Sequence, residues 1–179
     1  MKKRRAVFVL GAESSGTRNM TRLLVESGYA GTHEHNQRYD NFELLIQDKP
    51  DRVVIRRSVP HGLAWVNTQE VINFLKELGY FVSCIVTIRD WNCMVESQIN
   101  AGHVKDKRKS KTNIRQAYAH IFSQLYAAGI EYVPVSYESL VQHPTETLER
   151  LGEELQINFP EVHGVYDGNN KYYSQTEEE

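Results

Sequence analysis

The chain holds only two cysteines among 179 residues, Cys84 inside an apolar run and Cys93 nine positions on. Two thiols make no disulfide framework, and Cys84 reads as a small core residue. Long hydrophobic runs are missing too. No stretch of about 18 apolar residues occurs, so no helix is expected to span a bilayer. The opening "MKKRR" is followed by a short apolar segment, Ala6 to Leu10, with no processing site. That is too little for a signal peptide, and the expected compartment is the cytoplasm. Charge of one sign is also lacking: 21 Lys and Arg face 23 Asp and Glu, a formal net charge of -2. A protein that tracks nucleic-acid phosphates normally carries a basic excess over a whole face, so no nucleic-acid partner is expected. No internal repeat is visible.

What is present is a hydrophobic content of 40%, enough for one well-packed unit over residues 1–179, with about residues 172–179 expected as a flexible polar tail. Short β-branched segments at Ala6–Leu10, Val53–Arg56, Phe81–Ile88 and Tyr132–Val135 have the character of buried parallel strands. Amphipathic stretches lie between them. Met20, Leu23 and Leu24 share one helical face; Val71, Phe74, Leu75 and Leu78 share another, with Asn67 as its cap and Gly79 as its stop. Further helices are expected over Trp91–Ala101, Ile114–Ala128 and Pro144–Leu155. Strand and helix in alternation predict a three-layer α/β/α domain around a central parallel sheet. "GHVKDKRKSK", Gly102 to Lys111, is expected as a basic loop, either a solvated connection or a lid over an anion.

The first strand runs into "GAESSGTR", Gly11 to Arg18, with glycines bracketing four residues before a helix. The unpaired N–H groups of a helix start and the positive end of its dipole favour an anion there. An ATP-binding loop of this type continues with Lys and then Ser or Thr for the terminal phosphates and magnesium, whereas this one continues Thr17-Arg18. A second anion site is suggested downstream. Arg89 follows the apolar run Phe81–Ile88, at the sheet edge where open α/β sheets bind ligands, and Ser97 lies eight positions later, about two helical turns on.

Together these segments resemble the sulfotransferases that use 3′-phosphoadenosine 5′-phosphosulfate. "ESSGTR" is similar to that family's loop for the 5′-phosphosulfate, "RDWNCMVES" places Arg89 and Ser97 at the spacing of its 3′-phosphate pair, and "YESLVQHPTETLERLGEELQI" reproduces a late Tyr-Glu segment with a proline and an amphipathic helix. The resemblance implies a P-loop-type fold and a sulfuryl transfer to a hydroxyl or amine, on a small-molecule or glycan acceptor, without a metal. It also implies nucleotide contacts from Ser14, Ser15, Gly16, Thr17 and Arg18, from Arg89 and Ser97, from Tyr137 near the adenine, and from Lys171 in "GNNKYY".

Two features depart from the family pattern. Ser14 stands where the family has Lys or Arg, so a hydroxyl replaces a cation at the departing phosphate. Arg18, Arg56 and Arg57 are the cations available in its stead. The family's usual His or Glu after the second strand is also missing, and "GTHEHNQRYDN" instead offers His35, with Glu34 next, as the base for the acceptor's proton; His33 is a further candidate and His61 an outsider. A His-x-His pair can bind zinc, but no third ligand follows at a familiar spacing. Two other functions fit parts of the pattern: a magnesium-dependent P-loop kinase, and a nucleotide-binding protein without catalysis.

Overall fold

The computed structural model describes residues 4–31, 47, 49–60, 65–161 and 165–173. Its sheet has four parallel strands: β1 (Arg4–Ala12), β2 (Arg52–Val59), β3 (Tyr80–Ile88) and β4 (Tyr132–Ser136), in the order β2-β1-β3-β4. β1 pairs on both sides, and Phe8, Val9 and Leu10 are wholly inaccessible. A parallel strand covered on both faces has no polar side to show, which is why β1 reads as a continuous apolar run.

Alternation along the strands divides the core in two. Phe8 and Leu10 of β1 join Val53 and Ile55 of β2 on one face, while Val7 and Val9 join Val54 on the other. The first face is covered by α2 (Thr68–Glu77), α3 (Trp91–Asn100) and α4 (Lys107–Ala127), through Ile72, Leu75, Met94, Ile114, Ile121 and Leu125. The second is covered by α1 (Thr17–Glu26), α5 (Tyr137–Gln142) and α6 (Pro144–Leu155), through Met20, Leu23, Leu24, Leu140, Leu148 and Leu151. Each such side chain removed from water contributes about 1.5 to 3 kcal/mol, so the two clusters hold the layers together. A short helix, α7 (Asn170–Tyr173), closes the described chain. The α/β architecture expected from the sequence is the one observed.

Helix starts follow local chemistry. Asn67 accepts the Glu70 N–H, Asp90 that of Cys93, Asp106 that of Lys109 and Ser136 that of Ser139. Three boundaries differ from expectation. β2 continues past Arg56 through Arg57 and Ser58 to Val59, because pairing with β1 runs on to Ala12 and an edge strand tolerates polar residues. The basic segment is loop only as far as its cap: α4 begins at Lys107, since Asp106 caps it and buried Ser110 anchors its first turn on α3 by donating to Gln98 Oε1 (2.8 Å). Residues 172–173 belong to α7 and not to a tail, because Tyr172 is buried. Residues 174–179 lie outside the described residues.

Cys84 and Cys93 are both free and buried. Burial pushes the Cys84 thiol up from 9.0 to about 12; burial and then the Asp90 carboxylate push Cys93 up to about 11. Both therefore stay protonated at pH 8, and iodoacetamide is expected to label neither until denaturant is added. The sign for stability follows. The unfolded chain ionises its thiols first, so this contribution is intact below pH 9 and is lost as the pH rises toward 11 to 12. Rapid native-state labelling of Cys93 at pH 8 would contradict this.

Candidate functional site

The site begins where β1 ends. Glu13 N–H donates to Val59 O (3.2 Å) and Ser15 N–H to Ala12 O (3.0 Å), which folds the chain sharply between β1 and α1. Ser14 (φ 71°) and Gly16 (φ 96°) take left-handed backbone conformations within this turn. Gly16 is the N-cap of α1 and supplies no side-chain cap. The N–H groups of Gly16, Thr17 and Arg18 find no acceptor among the described residues. Three unpaired donors at the positive end of a helix make this turn a cradle of the kind that suits an anion.

The cradle is braced from beneath. Thr87 donates its proton to Leu10 O (3.3 Å), so the 2.7 Å contact between the Ser15 and Thr87 hydroxyls has Ser15 as donor. Ser15 is fully buried, with its hydroxyl and its N–H both engaged inside the protein. It shapes the loop from within, which differs from a direct ligand contact. Thr17 shares a hydroxyl contact with Ser58 (3.1 Å), joining the helix start to β2. Gln98 of α3 donates to Glu13 O (2.9 Å), joining the loop to α3.

Arg89 lies one residue past β3, beside the loop, because Gly11 and Thr87 are register partners. Its Nη1 donates to Ser14 O (3.0 Å) and its Nε to Asn169 Oδ1 (2.6 Å). The guanidinium carbon lies 4.6 Å from the Tyr137 ring centre and 5.7 Å from that of Tyr172. Two carbonyl oxygens and two aromatic faces thus fix one planar cation at the mouth of the loop. Its Nη2 has no hydrogen-bond partner among the described residues.

Tyr137 is the first residue of α5, and its ring packs on Gly16, where an added Cβ would come within 2.7 Å of Cδ2. Its hydroxyl donates to Tyr166 O (3.1 Å) and accepts from Gly168 N–H (2.7 Å). Burial raises its pKa above 10.0, against opposing pulls from Gly168 and Arg89, so at neutral pH it keeps the proton that the first bond requires. Ser97 is half-buried on α3. Lys171 is exposed on α7, its Nζ 4.9 Å from the Tyr172 ring centre. Arg18 is exposed in the first turn of α1. Arg56 and Arg57 pair with Val9 and Leu10, and Arg57 Nη1 donates to Arg56 O (2.9 Å). Strand alternation puts Arg56 on the α1 face and Arg57 on the opposite one. His33, Glu34, His35 and His61 lie outside the described residues.

Among the described residues no helix is long and apolar enough to cross a membrane, and no group of three His, Cys, Asp or Glu is placed to hold a metal ion. No protein-family model matches the chain. No curated protein sequence matches it either. Among solved structures it is similar to the sulfotransferase domain of the olefin synthase from Synechococcus PCC 7002, with a TM-score of 0.63 over 96% of this chain and 84% of that one. This chain shares that fold. The two sequences are 15% identical, so the likeness speaks for the architecture and leaves the activity to the site's own chemistry.

Four contributors were not singled out from the sequence: Thr87, Gln98, Glu138 and Asn169. Glu138 stands in the quoted "YESL", and its Oε1 accepts from both Asp90 N–H (2.8 Å) and Asn169 Nδ2 (2.9 Å). Asn169 stands in "GNNKYY", a polar stretch with no local sign of burial, yet it is 1% exposed.

Proposed function

We propose that the protein is a sulfotransferase moving a sulfuryl group from 3′-phosphoadenosine 5′-phosphosulfate to a hydroxyl or amine of a small-molecule or glycan acceptor. The observation that carries this reading is the direct bond from Arg89 to the carbonyl of Ser14. It ties an uncapped helix start to a fixed guanidinium, which suits a nucleotide with phosphate on both its 5′ and 3′ positions. In this reading the N–H groups of Gly16 to Arg18 take the 5′-phosphosulfate, and Arg89, aided by Ser97, takes the 3′-phosphate. Tyr137 acts by shaping the floor under Gly16 and Arg89, and Lys171 borders the nucleotide.

The chemistry is an in-line displacement at sulfur. The acceptor oxygen or nitrogen forms the new bond to sulfur, the bond from sulfur to the 5′-phosphate oxygen breaks, and negative charge grows on that departing oxygen. A preorganised donor there is worth about 10² to 10³ in rate. Ser14 brings no charge, so Arg18, Arg56 or Arg57 supplies it. The acceptor's proton passes to His35 or, next, Glu34. Two free, protonated thiols accord with a cytoplasmic setting.

Titration calorimetry tests the reading. The protein is expected to bind 3′,5′-adenosine bisphosphate and to prefer it over ATP with magnesium; preference for ATP would instead indicate a kinase. Transfer of labelled sulfur from the donor to a panel of hydroxyl and amine acceptors then separates an enzyme from a binding protein. Uncharged Ser14 favours the binding-only alternative, and tight bisphosphate binding with no transfer to any acceptor would establish it.

A further inference from the structure

Arg89 carries five N–H donors, and what it can offer a ligand depends on how its plane is held. Three segments far apart in sequence hold it: the β1–α1 loop through Ser14 O, the start of α5 through the Tyr137 ring, and the last described segment through Asn169 and Tyr172. Asn169 has the most constrained part. Its Oδ1 accepts from Arg89 Nε, while its Nδ2 donates to Glu138 Oε1 and to the Tyr173 hydroxyl (3.3 Å). Its own N–H donates to Asp167 Oδ1 (2.8 Å), and the side chain is buried. Glu138 is fixed in turn by Asp90 N–H and by the Ser136 hydroxyl (3.1 Å). The amide therefore cannot turn over without setting its oxygen against the Glu138 carboxylate and its NH₂ against the guanidinium. A partly buried network whose hydrogen bonds permit one orientation of the central amide transmits that orientation to the group at its end.

We infer that Asn169 is a positioning residue for Arg89: with Ser14 O it engages Nε and Nη1 of the guanidinium and leaves Nη2 to meet the 3′-phosphate of the nucleotide. This rests on the proposed nucleotide reading. Gly168 contributes by lacking a side chain, since a Cβ there would lie 3.1 Å from the Tyr137 hydroxyl and 3.6 Å from Arg89 Nη2 and would crowd both. The segment carrying Asn169 thus acts as a wall of the 3′-phosphate subsite rather than as a surface tail.

The experiment compares binding of 3′,5′-adenosine bisphosphate with that of 5′-AMP, which lacks the 3′-phosphate, in the wild type, Asn169→Ala, Arg89→Ala and the double variant. Asn169→Ala is expected to weaken bisphosphate binding on the order of tenfold, the loss of one orienting hydrogen bond to a charged group, and to leave AMP binding in place. Adding it to Arg89→Ala is expected to change nothing further beyond about twofold, because its effect passes through the guanidinium. Asn169→Ser, smaller and still polar, serves if the alanine protein unfolds, with urea unfolding recorded for every variant. Equal losses for bisphosphate and AMP, or additive losses in the double variant, would overturn the positioning role while leaving the nucleotide reading standing. A wild type that does not distinguish bisphosphate from AMP would remove the nucleotide reading itself.

Discussion

Arg89→Ala is expected to weaken binding of 3′,5′-adenosine bisphosphate by about 10- to 100-fold, the range for losing a hydrogen bond between charged partners. The substitution removes more than charge. Ser14 O and Asn169 Oδ1 lose their donor, and the Tyr137 and Tyr172 rings lose the cation beside them. Arg89→Lys is not expected to restore affinity. One ammonium on a flexible stem cannot reproduce a planar fork that addresses Ser14 O and Asn169 while presenting another edge outward. Calorimetry on the three proteins measures this directly. Full affinity in Arg89→Lys would mean that charge alone matters, and unchanged affinity in Arg89→Ala would remove Arg89 from the site.

Gly16→Ala is expected to cost about 2 to 5 kcal/mol, combining roughly 1 to 2 for a left-handed backbone with 1 to 3 for overpacking. The backbone part comes from φ 96°. The packing part comes from the Tyr137 ring at 2.7 Å from the new Cβ, which cannot swing aside while its hydroxyl is bonded to Tyr166 and Gly168. Gly28→Ala is the matching control. Gly28 has φ 86° but nothing within 4 Å of an added Cβ, so only the backbone part of about 1 to 2 kcal/mol applies. Urea midpoints at constant slope report both variants. Equal losses would show that the ring contact carries no energy; a larger loss at Gly16, with weaker bisphosphate binding, is the expected result, because the same ring supports Arg89.

Most of the architecture was legible along the chain. The strand cores, the Asn67 cap and the α6 limits Pro144–Leu155 follow from residue type and spacing, since burial between two layers demands apolar side chains at definite intervals. The loop "GAESSGTR" was legible for the same reason: a glycine at a strand-to-helix turn and a helix start without a capping side chain are local properties. Boundaries failed where the cause was not local. Arg57 to Val59 extend β2 because β1 offers them partners, and α4 starts early because Ser110 reaches Gln98 on another helix.

The site divides along the same line. Composition and spacing by themselves determined a parallel α/β sheet and pointed to an anion at the turn Gly11 to Arg18 and to a cation, Arg89, at the carboxyl edge of β3. Only the tertiary structure decided what each side chain faces. Ser15 turns inward to Thr87, Tyr137 lies under the loop glycine, and Asn169, 80 positions from Arg89, sets the plane of its guanidinium. A hydrogen bond across that separation leaves no period or motif in the chain. It exists because the sheet order brings the ends of β1, β3 and β4 side by side, where the last described segment can close over them.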